Sequence, residues 1–159
     1  MLFLLTESNY VFTLVLLKVL AAKLPQDKGR AFAVEGQLSK GKARGAGIIL
    51  IAIFILVDLI FNILSVERTI YLGIIGVTML SGFLDDASNK PWNEYLKGLI
   101  DLILAIGVAV TFLYYNENTI YIAVNDYYPV TLPMWAFGIL IVVLVWTAIN
   151  VTNCTDGVD

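Results

Sequence analysis

The sequence contains no histidine. That excludes histidine-based triads and histidine metal sites within these residues. It has a single cysteine, Cys154, so no intramolecular disulfide framework can form. Charge is also scarce. Only 14% of the residues are Asp, Glu, Lys or Arg, against roughly a quarter in a soluble domain. So few charges cannot coat a water-facing surface. The formal net charge of −3 is close to balanced and argues against nucleic acid as a partner.

What is plentiful is apolar. The 159 residues are 59% hydrophobic, with a mean hydropathy of +0.84. The apolar residues fall in long blocks rather than at amphipathic spacing. This pattern predicts an all-α polytopic membrane protein. Five blocks are candidates: Leu2–Leu24, Ala46–Leu64, Thr69–Leu84, Leu96–Tyr115 and Leu132–Ile149. A spanning helix needs about 20 residues, with a usual range of roughly 17 to 25. The first block is interrupted by Thr6-Glu7-Ser8-Asn9, and the second by Asp58. The third is short and has to end near an interface. The first block lacks the basic start and clear cleavage site of a signal peptide.

Lysine and arginine set the expected orientation. Lys23, Lys28, Arg30, Lys40, Lys42 and Arg44 lie between the first two blocks. Lys90 lies between the third and fourth, with Lys97 at the edge. The loop between the second and third blocks has only Arg68. The loop between the fourth and fifth has no basic residue. The positive-inside rule then places the N-terminus outside and the Asp85-Asp86 pair in the cytoplasm. The outside stretch "TIYIAVNDYYPVTLP" alternates side chains around Asn125-Asp126. It predicts a small β-hairpin between the fourth and fifth helices.

Two polar constellations stand on the expected cytoplasmic side. The first is "SGFLDDASNK", where an apolar run ends in adjacent carboxylates. Two such groups repel each other and attract a cation. With Lys90 and Lys97 nearby, they suit a phosphate-handling Mg²⁺ site, because carboxylates hold this hard cation through oxygen and it bridges substrate phosphates. Helix order places Asp101 one turn after Lys97. The second is the segment "NVTNCTDGVD". Asn150, Asn153, Asp156 and Asp159 recur every three residues, on roughly one helix face. Such a cluster suits metal, sugar or nucleotide contacts; the plainer reading is a polar helix end. Cys154 lies inside it but has no neighbouring base, which makes it a poor nucleophile. Asp58 is expected to pair within the bundle or face a cavity. Gly45, Gly47, Gly73 and Gly76 are expected to allow close helix packing.

These residues resemble the polyprenyl-phosphate N-acetylhexosamine-1-phosphate transferases. The family pattern N-x-x-N-x-T-D-G-x-D matches Asn150, Asn153, Thr155, Asp156, Gly157 and Asp159. "GFLDDASNK" resembles its Asp-Asp-x-x-Lys motif, with the lysine one place late, so Lys97 becomes the preferred phosphate ligand. The basic loop "EGQLSKGKARGAG" resembles the corresponding loop of members that act in peptidoglycan synthesis. The likeness covers residues 1–159 in helix order and implies the N-terminal half of one membrane-embedded domain.

The resemblance further implies an Mg²⁺-dependent phosphoglycosyl transferase of the bacterial cytoplasmic membrane, with its active site facing the cytoplasm. Undecaprenyl phosphate would attack the β-phosphate of UDP-N-acetylmuramoyl-pentapeptide and release UMP. Asp85, Asp86 and Lys97 would be catalytic. Lys90, Asn150, Asn153, Asp156 and Asp159 would bind substrate, with Asp86 and Asp156 as metal ligands. A homodimer in the bilayer would fit the family. An N-acetylglucosamine-type donor is the alternative substrate. A cation carrier using Asp58, Asp86 and Asp101, or a non-catalytic membrane subunit, is the alternative of another class.

Overall fold

A computed structural model describes residues 13–27, 40–88, 92–123 and 127–155, together with Val11 and Lys90. The side chains of residues 122–123, 127–128 and 152–155 lie outside that description. The protein is mainly helical. Residues 13–20 form α1, which tightens into a 3-10 turn, Ala21–Lys23. Next come α2 (Gly47–Phe61), α3 (Val66–Ala87) and α4 (Glu94–Tyr115). Strands β1 (Thr119–Ala123) and β2 (Tyr127–Thr131) follow, and α5 (Met134–Thr155) closes the order.

Among the described residues three helices are long and apolar enough to cross a membrane: α3, α4 and α5. Many of their large apolar side chains are exposed, Val110, Trp135 and Leu144 among them. In water that surface would be costly; in hydrocarbon it is the stable one. The molecule is a multi-pass membrane protein.

Three helices differ clearly from the sequence reading: α2, α3, and α5, which runs past the expected end at Ile149 to Thr155. The second block was expected to span Ala46–Leu64, but α2 has only 15 residues. At 1.5 Å per residue it reaches about 22 Å, short of the ~30 Å hydrocarbon core. It stops because Asn62 leaves in an extended conformation. The Asn62 amide then donates to Asp58 Oδ1 at 2.9 Å. The five expected spans are therefore not reached among the described residues. The third helix, by contrast, is longer than Thr69–Leu84. The Ser65 hydroxyl accepts the Arg68 backbone N–H at 3.2 Å and caps its start. Its far end runs through both aspartates to Ala87.

The residues divide into two compact units. One holds residues 1–64 and 75–92, and the other residues 65–74 and 93–159. In the first, Ile49, Ile53 and Asp58 are buried along α2. Ile55 reaches to 3.8 Å from where a Cβ on Gly76 would stand. In the second, Asp101, Ala105 and Ala109 form a buried stripe at four-residue spacing on α4. Phe112 and Phe137 join α4 to α5 edge to face, with ring centroids 5.8 Å apart. Gly138 sits so close to Leu113 that a Cβ there would come within 3.1 Å of its Cδ1.

The expected hairpin is present. β1 and β2 pair antiparallel from Thr119↔Thr131 to Ala123↔Tyr127. The expected turn pair Asn125-Asp126 lies outside the described residues. At the open end Leu132 N–H donates to Asn118 O at 3.1 Å. The Asn118 side-chain amide donates back to Leu132 O.

Candidate active site

Asp85 and Asp86 occupy the last turn of α3 and are partly buried. They are held in different ways. Asp85 Oδ1 accepts the backbone N–H of Trp92 at 2.8 Å, which closes the turn after the helix. Asp86 Oδ1 meets Arg44 Nη2 at 3.0 Å. The cation that meets Asp86 is thus Arg44, from the basic loop. The Lys90 side chain is exposed, and its main chain is tied to Ser88, whose hydroxyl donates to Lys90 O at 2.5 Å.

Arg44 comes from the basic loop, and the loop's two ends are stitched together. Gln26 and Ala43 form an isolated antiparallel bridge. Arg44 N–H donates to Pro25 O at 2.7 Å, Asp27 N–H to Lys42 O at 2.8 Å, and Gly41 N–H to Asp27 O at 2.9 Å. Gly41 and Gly45 both take positive φ, 85° and 68°, which side chains with a Cβ rarely adopt. Gly45 also lies against α3. A Cβ there would fall 2.9 Å from Phe83 Cδ2. Close packing therefore holds for Gly45, whereas Gly47 and Gly73 face open space.

The second unit holds Lys97, Asp101, Asn150 and Asn153. Asn93 caps α4 by accepting Tyr95 N–H at 3.0 Å. That sets Lys97 on the first turn, partly exposed, with its charge acting on the buried Asp101 one turn on. The indole N–H of Trp146 donates to Gly98 O at 3.0 Å. This bond ties α5 to α4 beside Lys97 and one turn before Asn150. The Asn150 amide donates to Trp146 O at 2.8 Å within its own helix. Asn153 stands three residues further along the same helix. Asp156 and Asp159 lie outside the described residues. On the other half of the same helix pair is an apolar groove of about 320 Å³, lined by Ile106, Val110, Leu113, Trp135 and Ile139.

Among the described residues no three His, Cys, Asp or Glu side chains gather as a metal cage. Mg²⁺ seldom needs one. It is usually bound through one or two carboxylates plus waters and substrate phosphate. The adjacent aspartates, hard oxygen donors on a partly open helix end, suit that mode.

Sequence reading missed Arg44. It counted only as one of several loop cations, and nothing in its spacing marks Asp86 as its partner. The one local hint is the glycine that follows it.

An apolar helical membrane protein with paired carboxylates at one helix end and an Asn-rich turn at another is the class defined so far. Residues 68–159 match the glycosyl transferase family 4 model, and the chain belongs to that family. It is also similar to the phospho-N-acetylmuramoyl-pentapeptide-transferases of two strains of Treponema pallidum, one of them strain Nichols. To each it is 35% identical over 154 residues, 96% of this chain and 42% of the relative. The chain thus spans less than half the length of the curated relatives it matches. No solved structure matches it.

Proposed function

We propose that residues 1–159 belong to a membrane transferase that moves phospho-N-acetylmuramoyl-pentapeptide from its UDP carrier to undecaprenyl phosphate, releasing UMP. The observation that carries this reading is Asp86 at a helix end, partly open and held by a cation. It sits within a chain 35% identical to enzymes named for that transfer. In the reaction the lipid phosphate oxygen forms a bond to the β-phosphorus, and the bond from that phosphorus to the UMP oxygen breaks. Positioning and charge stabilisation are the main demands of such a step.

The chain's own residues meet those demands as follows. Asp86 orients the attacking phosphate and takes its proton if it arrives protonated. Asp85, fixed by Trp92 N–H, keeps the helix end in shape and adds a second negative charge. Lys97 neutralises phosphate charge. Asn150, Asn153, Asp156 and Asp159 contact the nucleotide and sugar, and Lys90 adds an exposed cation at the phosphate entrance. Asp86 and Asp156 would each offer a carboxylate oxygen to Mg²⁺, and that cation would lower the cost of charge on the diphosphate. The groove between α4 and α5 offers an apolar surface to the polyprenyl chain. The site would face the cytoplasm of a bacterium, and two copies would pair in the bilayer.

The test is a donor comparison. UMP release by the full-length protein with undecaprenyl phosphate should require UDP-N-acetylmuramoyl-pentapeptide. Preference for UDP-N-acetylglucosamine would keep the reaction class and overturn the donor. Release of UMP from neither would overturn the reading.

A further inference from the structure

Adjacent carboxylates on one helix turn rarely share one role, and here their partners differ in kind. Asp85 is held by a main-chain group, the Trp92 N–H. Asp86 is held by a side chain. We propose that Arg44 is a positioning residue for Asp86: its guanidinium fixes the carboxylate in the orientation that phosphate transfer uses. This inference rests on the transferase reading above.

The geometry favours positioning over a chance surface pair. Arg44 is anchored on its own side by its N–H to Pro25 O and by the Gln26–Ala43 bridge. On the other side Gly45 turns the chain with φ +68°, in close contact with Phe83. Phe83 lies three residues before Asp86, on the same turn of α3. The backbone that presents the guanidinium is therefore keyed to the turn that presents the carboxylate. Both side chains remain about one-third exposed, 38% for Arg44 and 30% for Asp86. A pair so open adds little to stability, so stability alone does not account for its anchoring on both sides. A planar guanidinium fixes the direction of a carboxylate where an ammonium supplies only a point charge. One N–H points at Asp86, and the fork has other donors with which to meet a phosphate oxygen beside it.

The experiment measures UMP release by the full-length protein in detergent, varying donor and lipid separately. Arg44→Ala should lower kcat by between about ten- and a hundred-fold, the scale of a misplaced reacting group, with little change in donor KM. Arg44→Lys should recover only part of that loss. Free guanidinium ion should restore turnover to Arg44→Ala but not to Asp86→Asn. Wild-type kcat in Arg44→Ala would overturn the inference. So would a rise in KM alone, or a loss matched by lower thermal stability and not rescued by guanidinium. Arg44→Gln, closer in shape, repeats the test if the alanine variant does not fold. If Asp86→Asn itself keeps full turnover, the fault lies with the assignment of Asp86. If it is inactive while Arg44→Ala is normal, only the role of Arg44 fails.

Discussion

The polar end of α3 and the polar end of α5 are built by opposite means. At the end of α3, Asp85 and Asp86 are held by groups from outside the helix, Trp92 N–H and Arg44. At the end of α5, Asn150 bonds back to Trp146 of its own helix. The indole N–H of Trp146 donates to Gly98 O and helps fasten that region to α4. The carboxylate end thus owes its geometry to tertiary ties, whereas the amide end owes it to helical periodicity. Substitutions should therefore act differently at the two ends.

The largest effect is expected at the charges themselves. Asp86→Asn keeps the shape of the side chain and removes the charge. It should cost the full-length enzyme about two to four orders of magnitude in kcat, the range typical of a positioned base, with the fold intact by circular dichroism. Asp156→Asn should fall in the same range. Near-normal turnover in either variant would remove that residue from the catalytic set.

A smaller effect separates two neighbouring glycines. Gly45→Ala puts a Cβ into a left-handed backbone, at roughly 1–2 kcal/mol, and against Phe83 as well. Its melting temperature in detergent should fall, and turnover should fall with it as Arg44 shifts. Gly47→Ala meets nothing within 4 Å at the first residue of α2. It should be neutral or stabilising by up to about 1 kcal/mol. Equal effects of the two would mean that the loop is not keyed to α3.

The smallest effect is expected at the amide end. Trp146→Phe keeps the ring and loses the bond to Gly98 O. Interhelical hydrogen bonds in membranes average about 0.6 kcal/mol and reach about 1.7, so only a modest drop in stability should follow. A severe loss of folding would show that the α5 end depends on tertiary ties as much as the α3 end does.

How much of this was legible in the sequence follows the same division. The long apolar runs placed α4 and the start of α5 to within a few residues. They did not place the end of α5, which continues past Ile149 into polar residues up to Thr155. Alternation around Asn125-Asp126 pointed to the hairpin. Periodicity also foretold the helical placement of Asn150 and Asn153. Hydropathy erred where polar groups decide a helix end. Ile63 and Leu64 extend the apolar run, yet Asn62 has already left α2 to bond Asp58. Glu67 and Arg68 looked like loop, yet Ser65 caps them into α3. The carboxylates stood out because charge after an apolar run is rare. Arg44 did not, because its meeting with Asp86 depends on the fold of the loop and on one left-handed glycine. Local pattern cannot express a contact between residues so far apart in sequence.

The central claim is that Asp86 belongs to a phosphoglycosyl transferase. It is tested most directly by counting both products of the purified full-length protein in one reaction. Undecaprenyl phosphate and labelled UDP-N-acetylmuramoyl-pentapeptide should yield one UMP for every lipid-linked diphosphosugar, and Asp86→Asn should yield neither. UMP without lipid product would indicate hydrolysis. The absence of both products, together with cation flux in liposomes that depends on Asp86, would contradict the account and favour a carrier.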